Sequence, residues 1–240
     1  MTKQSFLELI KSFAIALLLA VTFRSFAFEP FHIPSGSMKP NLLIGDYIFV
    51  SKYSYGYSRY SFPFGIPAFS GRFFEKKPQR GDIIVFKLPK DPSINYIKRL
   101  IGLPGDRIQV KDGLLYINGN PVKHEPLGEP FVDHDGASDL EIPQVKETLP
   151  EGNEFVTLDQ DPDGALDNTG EYIVPPDHFF FMGDNRDNSQ DSRVLSAVGF
   201  VPKENLVGRA VIIFFSHDFS LTGIFKWMTT GNTGRNFKRL

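Results

Sequence analysis

Hydrophobic positions along this chain fall into one long block followed by many short ones. Residues 12–23 (SFAIALLLAVTF) are free of charge and are bounded by Lys11 and Arg24. That block alone is short for a hydrocarbon core of about 30 Å, which takes about 20 helical residues to cross. Extended to residues 6–28 it is long enough, with Lys11 and Arg24 near its ends where long cationic side chains can reach water. The pattern predicts one transmembrane helix. A cleaved leader would need a small-x-small site, and Ser25-Phe26-Ala27 ahead of Pro30 is a poor one, so an uncleaved anchor is expected. Lys3 and Lys11 before the block predict a cytoplasmic N-terminus and a translocated remainder, a bias that Arg24 weakens.

Glu29-Pro30 stops the helix, because proline cannot continue it and holds its predecessor extended. Beyond it the apolar runs are strand-like and separated by turn residues: 47–50 (YIFV), 83–86 (IIVF), 96–97 (YI) ahead of Lys98, 107–110 (RIQV), 114–117 (LLYI), 179–182 (FFFM) and 210–215 (AVIIFF). Asp112-Gly113 and Asn118-Gly119-Asn120 predict tight hairpins. The expected fold class is mostly β, an antiparallel β-sheet body preceded by one N-terminal transmembrane helix. Residues 1–28 are expected to be the cytoplasmic N-terminus and anchor, and 29–240 the extracytoplasmic β-domain. Residues 120–172 are acidic and rich in Pro, Asp and Gly, and predict an inserted lobe or long loop region. Within it, Asp159-Gln160-Asp161-Pro162-Asp163-Gly164 with Asp167 imitates a calcium loop. Gly170 stands where the bidentate Glu should be and Pro162 is awkward, so a plain acidic turn is expected. Residues 53–74 (YSYGYSRYSFPFGIPAFSGRFF) suit either a loop packed on the sheet or an aromatic foot in the headgroup region.

Composition narrows the function classes. With 26 basic against 28 acidic residues the formal net charge is -2, without the basic excess of a nucleic-acid binder. Cysteine is absent, which removes disulfides, thiolate zinc sites and a thiol nucleophile, and suits an oxidising envelope compartment. The chain has no G-x-S-x-G, S-x-x-K, H-E-x-x-H, P-loop or G-x-G-x-x-G motif. His32, His124, His134, His178 and His217 show no metal spacing, and no metal or cofactor is expected.

Three segments remain that can carry chemistry. Residues 34–40 (PSGSMKP) place two serines on a Gly-loosened, Pro-bracketed chain just after the anchor. Such a serine needs a base. Lys98 lies in 95–101 (NYIKRLI), where on a strand it shares a face with Tyr96 and Leu100 while Ile97 and Arg99 face the other way. An amine buried there would shed its charge and accept a proton; a solvated strand lysine is the bland alternative. Residues 183–193 (GDNRDNSQDSR) follow an apolar strand and read either as a decorated hairpin or as a rigid, self-bonded platform for a buried amine.

In series, these segments resemble those of bacterial type I signal peptidases, the Ser/Lys leader-peptide endopeptidases. The likeness covers the anchor, 33–38 (IPSGSM), 45–56, 80–86 (RGDIIVF), 96–99 (YIKR) with 102–106 (GLPGD), and 183–193. The 120–172 lobe and the C-terminus match poorly, and Asn41 stands where that family usually has Thr. The resemblance implies a membrane-bound serine endopeptidase that removes N-terminal signal peptides from secreted preproteins after an A-x-A-like site, through an acyl-enzyme. It implies Ser37 as nucleophile, Lys98 as neutral general base, Ser189 as the group that hydrogen-bonds and orients Lys98, and an oxyanion hole from the Ser37 N–H and the Ser35 hydroxyl. Asp191 and Arg193 would pair to hold the Ser189 turn, with Asp184 and Arg186 in the same support. Ile33, Pro34, Met38, Leu42, Tyr96 and Ile97 would line shallow pockets for small side chains. The implied partners are preprotein signal peptides, the lipid bilayer and, by proximity, the secretion translocon, on the periplasmic face of the bacterial inner membrane. A specialised Ser/Lys maturation peptidase is one rival. An inactive membrane-tethered binding module is another, but it should have lost Ser37, Lys98 or Ser189, and all three are present. Self-cleaving repressors of similar body would need a DNA-reading domain where this chain has its apolar block.

Overall fold

The computed structural model describes residues 3–66, 68–135, 138–161, 163–216 and 235–240; Pro162 and His217 lie outside them. A single helix, α1 (Lys3–Phe26), opens the chain. Its 24 residues rise about 36 Å at 1.5 Å each, enough to cross a hydrocarbon core. Its apolar side chains stay exposed, Phe13 at 69% and Leu18 at 66%. The body meets the helix end, where Phe26 packs edge-on against Tyr57 and Phe62 and the Tyr57 hydroxyl donates to the Phe26 carbonyl at 2.8 Å.

The strands, in chain order, are β1 (Phe28–His32), β2 (Asp46–Ser51), β3 (Ile83–Lys87), β4 (Asn95–Gly102), β5 (Arg107–Lys111), β6 (Leu114–Ile117), β7 (Asn120–Pro121), β8 (Lys123–Pro126), β9 (Phe131–Asp133), β10 (Leu140–Ile142), β11 (Gln144–Thr148), β12 (Glu154–Leu158), β13 (Tyr172–Ile173), β14 (His178–Met182), β15 (Val201–Pro202), β16 (Leu206–Ser216) and β17 (Lys238–Arg239). The main sheet runs β1-β2-β16-β3-β4-β14-β15, with β17 added to β16. Every pair in it is antiparallel, as expected. Pro30 sits in β1, an edge strand, where a missing N–H is tolerated.

The runs 83–86 and 179–182 are continuously apolar because both faces of the sheet are buried. Ile83 and Val85 join Ile33, Met38, Ile48 and Val50 on one face, while Ile84 and Phe86 join Leu100 and Phe181 on the other. Phe180 and Met182 turn into a third cluster with Ile101, Ile108, Leu149 and Phe155, which fastens the lobe to the body. The two hairpins form at Asp112-Gly113 and Asn118-Gly119, with positive φ at both central residues of each (48° and 73°, 54° and 80°), the geometry that matches strand twist.

The 120–172 region, expected as an inserted lobe or a long loop region, carries strands of its own. β8, β11 and β12 form one small sheet and β9 pairs with β10. On β11, Val145 and Glu147 are buried while Gln144, Lys146 and Thr148 are half-exposed. A buried glutamate breaks the apolar alternation by which a strand is recognised, so β11 was hidden in the sequence. Residues 53–74 are packed on the body along part of their length only. Tyr55, Ser58 and Ser61 are buried against the body, while Ile66 (70%), Phe73 (60%) and Phe74 (82%) face outward.

At Gly208, β16 approaches β2 so closely that a Cβ would stand 2.3 Å from the Ser51 carbonyl oxygen. Backbone atoms on both sides cannot give way. Gly208→Ala is therefore expected to destabilise the fold by about 1–3 kcal/mol or more, read as a lower melting temperature. Gly128→Ala, with nothing within 4 Å of the new methyl, is the control expected to melt like the parent.

Candidate active site

Three pieces distant in sequence converge beside the inner face of the main sheet. The first is a 3₁₀ turn, Gly36–Met38, shortly after β1. Ile33, Met38 and Leu42 anchor it in the core. The Asn185 N–H donates to the Ser37 carbonyl at 3.1 Å, and the Asn185 side-chain amide donates to the Gly36 carbonyl at 3.3 Å. Gly183 closes the back of the site. A Cβ there would stand 2.2 Å from Ser189 Oγ and 2.6 Å from the Ser37 carbonyl oxygen, so a side chain at 183 would drive the two chains apart.

The second piece is β4. Lys98, 4% exposed, donates from Nζ to Ser37 Oγ at 2.5 Å, and Ser37 is itself 7% exposed. The amine lies 5.4 Å from the Tyr96 ring centroid. Burial pulls the Lys98 amine down to about 8, against the attraction of Asp191 and Asp184 and with help from Arg193. An amine that sheds its proton near neutral pH, at hydrogen-bond distance from a hydroxyl, has the geometry of a general base on a nucleophile. Ser35 is exposed, and its Oγ lies 3.5 Å from Ser37 Oγ.

The third piece is the 183–193 turn, held by β14 next to β4. Asp191 and Arg193 pair in two contacts of 2.9 Å, and Arg193 also donates to the Arg186 carbonyl at 2.6 Å. Burial would push Asp191 up, but the Arg193 guanidinium and the Gly183 and Ser189 donors hold it below the usual carboxylate range. Ser189 departs from the expected contact. Its hydroxyl donates to Asp191 Oδ2 at 2.8 Å, while the hydrogen bond of Lys98 goes to Ser37. A buried carboxylate is the stronger acceptor and captures that hydroxyl.

Asp184 and Arg186 are both buried in this support but pair with other residues. Asp184 accepts from Arg99 at 2.7 and 2.6 Å and from the Asn41 side-chain amide at 2.8 Å. Arg186 forms two contacts of 2.6 Å with Glu147 of the lobe. Arg99, Asn41, Asn185 and Glu147 were thus missed by sequence reasoning. Arg99 was discoverable as the residue facing away from Lys98 on β4, whereas nothing local marked Glu147. Beside the Ser37 turn, buried Lys39 reaches Asp133 at 2.6 Å and Asp135 at 2.5 Å, tying the segment that follows β9 to the site.

Of the six expected pocket residues, Pro34 is exposed and Tyr96 and Ile97 are half-buried. Ile33 is 2% exposed, and Met38 and Leu42 at 0% are core residues without open surface, because the 3₁₀ turn directs the chain inward. At the far side of the 183–193 turn from Lys98's contact, the carboxylates of Asp159, Asp167 and Asp187 converge within 4.8 Å. Burial, then the charges of Asp167 and Asp187, push Asp159 up to about 6. Asp187 accepts two backbone N–H groups and Asp167 one, as in a self-bonded acidic turn.

Comparison with known proteins places the chain in a family. Residues 6–215 match the family described as signal peptidase, peptidase S26. A signal peptidase I of Rickettsia typhi is 42% identical across 95% of this chain and 92% of its own. That of Rickettsia canadensis is 46% identical across 86% of this chain and 78% of its own. A solved signal peptidase I from Enterococcus faecalis is 32% identical over 56% of this chain and 97% of that chain, with a TM-score of 0.32. With most of its length matched, the chain belongs to the signal peptidase family of serine endopeptidases, peptidase S26.

Proposed function

We propose that Ser37 and Lys98 are the nucleophile and general base with which this signal peptidase removes leaders from preproteins. The observation that carries the reading is the 2.5 Å contact between a buried amine, which makes no ion pair among the described residues, and a buried hydroxyl. Neutral Lys98 takes the Ser37 proton as Oγ attacks the scissile carbonyl. The Ser37 N–H and the Ser35 hydroxyl receive the oxyanion. Lys98, now ammonium, gives its proton to the leaving amine and frees the mature chain. Neutral again, it takes a proton from water, which attacks the acyl-Ser37 ester; as the ester bond breaks, Lys98 returns that proton to Ser37 Oγ and the leader leaves with a new carboxyl terminus. Ser189, Asp191 and Arg193 fix the ground beneath the amine, and Asp184 and Arg186 extend that support through Arg99 and Glu147. Pro34, Tyr96 and Ile97 form the shallow wall that favours small residues at the cleavage site, with Ile33, Met38 and Leu42 behind it.

The exposed apolar α1 is the anchor. Its charge pattern supports a cytoplasmic N-terminus and a catalytic body on the outer face of the inner membrane, where leaders emerge from the translocon. The outward-facing Phe73 and Phe74, on a segment packed against the helix end, suit a foot in the headgroup region.

Lys98→Met is expected to abolish release of the leader from a purified preprotein, while raising the melting temperature at neutral pH because a buried amine is replaced by an apolar group of similar length. Loss of both activity and fold would remove the support for a dedicated base. In the parent enzyme, the active form carries neutral Lys98, so kcat/KM should climb with pH and level off above about 8, following one proton. The linked stability has the same sign. The folded amine binds its proton less tightly than the unfolded one, so the penalty is full below about 8 and shrinks as pH rises from there towards the unfolded value near 10.5. A flat rate profile across that range would assign the base elsewhere. Glu147→Gln leaves the buried Arg186 guanidinium uncompensated, a change that typically costs about 3–5 kcal/mol. It should lower kcat at least tenfold with little change in KM, by loosening the turn under Lys98; an unaltered kcat would free the lobe from any catalytic part.

A further inference from the structure

The inner face of the main sheet has a second polar end, opposite in character to the first. Val50, Val85 and Ile97 lie in its apolar layer. Two positions further towards the anchor, the same face carries Lys52, Lys87 and Asn95. Here a cavity of about 430 Å³ opens, walled by these residues, by Arg24 from the last turn of α1, by Glu29 and by the 60–65 segment of the aromatic foot.

The ionic balance of this cavity is incomplete. Lys52, 1% exposed, donates to Glu29 Oε2 at 2.6 Å. Arg24 donates to Glu29 Oε1 at 2.6 and 3.0 Å. One carboxylate therefore serves two cations. Lys87, half-buried on β3, makes no ion pair among the described residues, so three cations face one anion around the same space. Burial lowers both lysine amines, against the attraction of Glu29 on both and of Asp91 on Lys87, and repulsion from Arg24 and Lys87 adds to the effect at Lys52. An anion in the cavity would offset the cost of burying these charges and their mutual repulsion.

We propose that this cavity binds the phosphate of a membrane phospholipid headgroup. Depth is the first argument. A helix of about 36 Å overruns a hydrocarbon core of about 30 Å, which places the final turn and Arg24 in the headgroup layer. Donors are the second: the Lys87 ammonium, the Arg24 guanidinium and the Asn95 amide converge on a space of the size of a polar headgroup. Net charge is the third, since an excess of cations selects an anionic headgroup over a zwitterionic one. The inference rests on membrane anchoring through α1 but not on the peptidase chemistry.

The test is calorimetric titration of the full chain in neutral maltoside micelles with dihexanoyl phosphatidylglycerol, dihexanoyl phosphatidylcholine and inorganic phosphate. The same titrations on Ser37→Ala keep binding separate from catalysis. One saturable site for phosphatidylglycerol is expected, with phosphatidylcholine and free phosphate each at least tenfold weaker. Lys87→Gln should weaken phosphatidylglycerol tenfold or more, and Lys87→Arg should keep it, with both variants melting like the parent. Equal affinity for free phosphate would overturn the lipid assignment, and binding untouched by Lys87→Gln would overturn the site. Should Lys87→Gln instead raise KM for a preprotein in lipid-free micelles and leave the titrations flat, the cavity receives the leader and the proposal fails.

Discussion

A lysine amine kept dry at 2.5 Å from a serine hydroxyl is the constraint on which the rest of this structure depends. Water would return the proton and end the arrangement. So would an unbalanced carboxylate nearby. Two carboxylates, Asp184 and Asp191, do lie close enough to attract the Lys98 charge. Each, however, is already engaged by a guanidinium, Asp184 by Arg99 and Asp191 by Arg193. Their fields at Lys98 are thereby reduced, and desolvation outweighs attraction. The density of buried ion pairs around the site is thus a means of surrounding an amine with polar structure that does not protonate it.

The sheet supplies the geometry. β4 and β14 are neighbours, and the register that sets Met182 opposite Arg99 delivers Gly183 and the turn after it beside Lys98. The serine turn is not part of that ladder. It is drawn in by its buried apolar residues and by the two hydrogen bonds from Asn185. Gly183 lets the serine turn and the Ser189 turn meet at backbone distance. The lobe enters the same structure through Glu147 and through the pairing of Leu158 with Asn185. An insertion that looked peripheral therefore reaches within one residue of the groups that hold Ser37.

What the sequence revealed and what it hid divides along a physical line. Runs such as 83–86 and 179–182 declared themselves because burial on both faces demands continuous apolar residues. The hairpins at Asp112-Gly113 and Asn118-Gly119 did so because only a few residues accept positive φ. Ser37, Lys98 and the 183–193 turn were legible as segments, and their pairing came from resemblance to a family. Partner choice inside the polar support was not legible. Asp184 and Arg186 are two residues apart, yet their partners lie 85 and 39 residues away. Sequence proximity cannot specify such contacts, because the sheet and the lobe decide which charges meet. The contact of Ser189 with Asp191 in place of Lys98 has the same origin, a competition among acceptors that depends on burial and distance.

Two lysines buried on one curled sheet show how little separates a structural cation from a base. Lys52 and Lys98 are 1% and 4% exposed, and burial lowers both. Lys52 has a carboxylate at 2.6 Å, a contact that favours the ammonium even though Arg24 shares it. The hydrogen-bond partner of Lys98 is a neutral hydroxyl, which stabilises an ammonium far less and can itself give up a proton. The difference therefore lies in the partner and not in the lysine. A carboxylate placed where Ser37 stands would turn Lys98 into a second Lys52, and the chemistry depends on the chain having put a serine there.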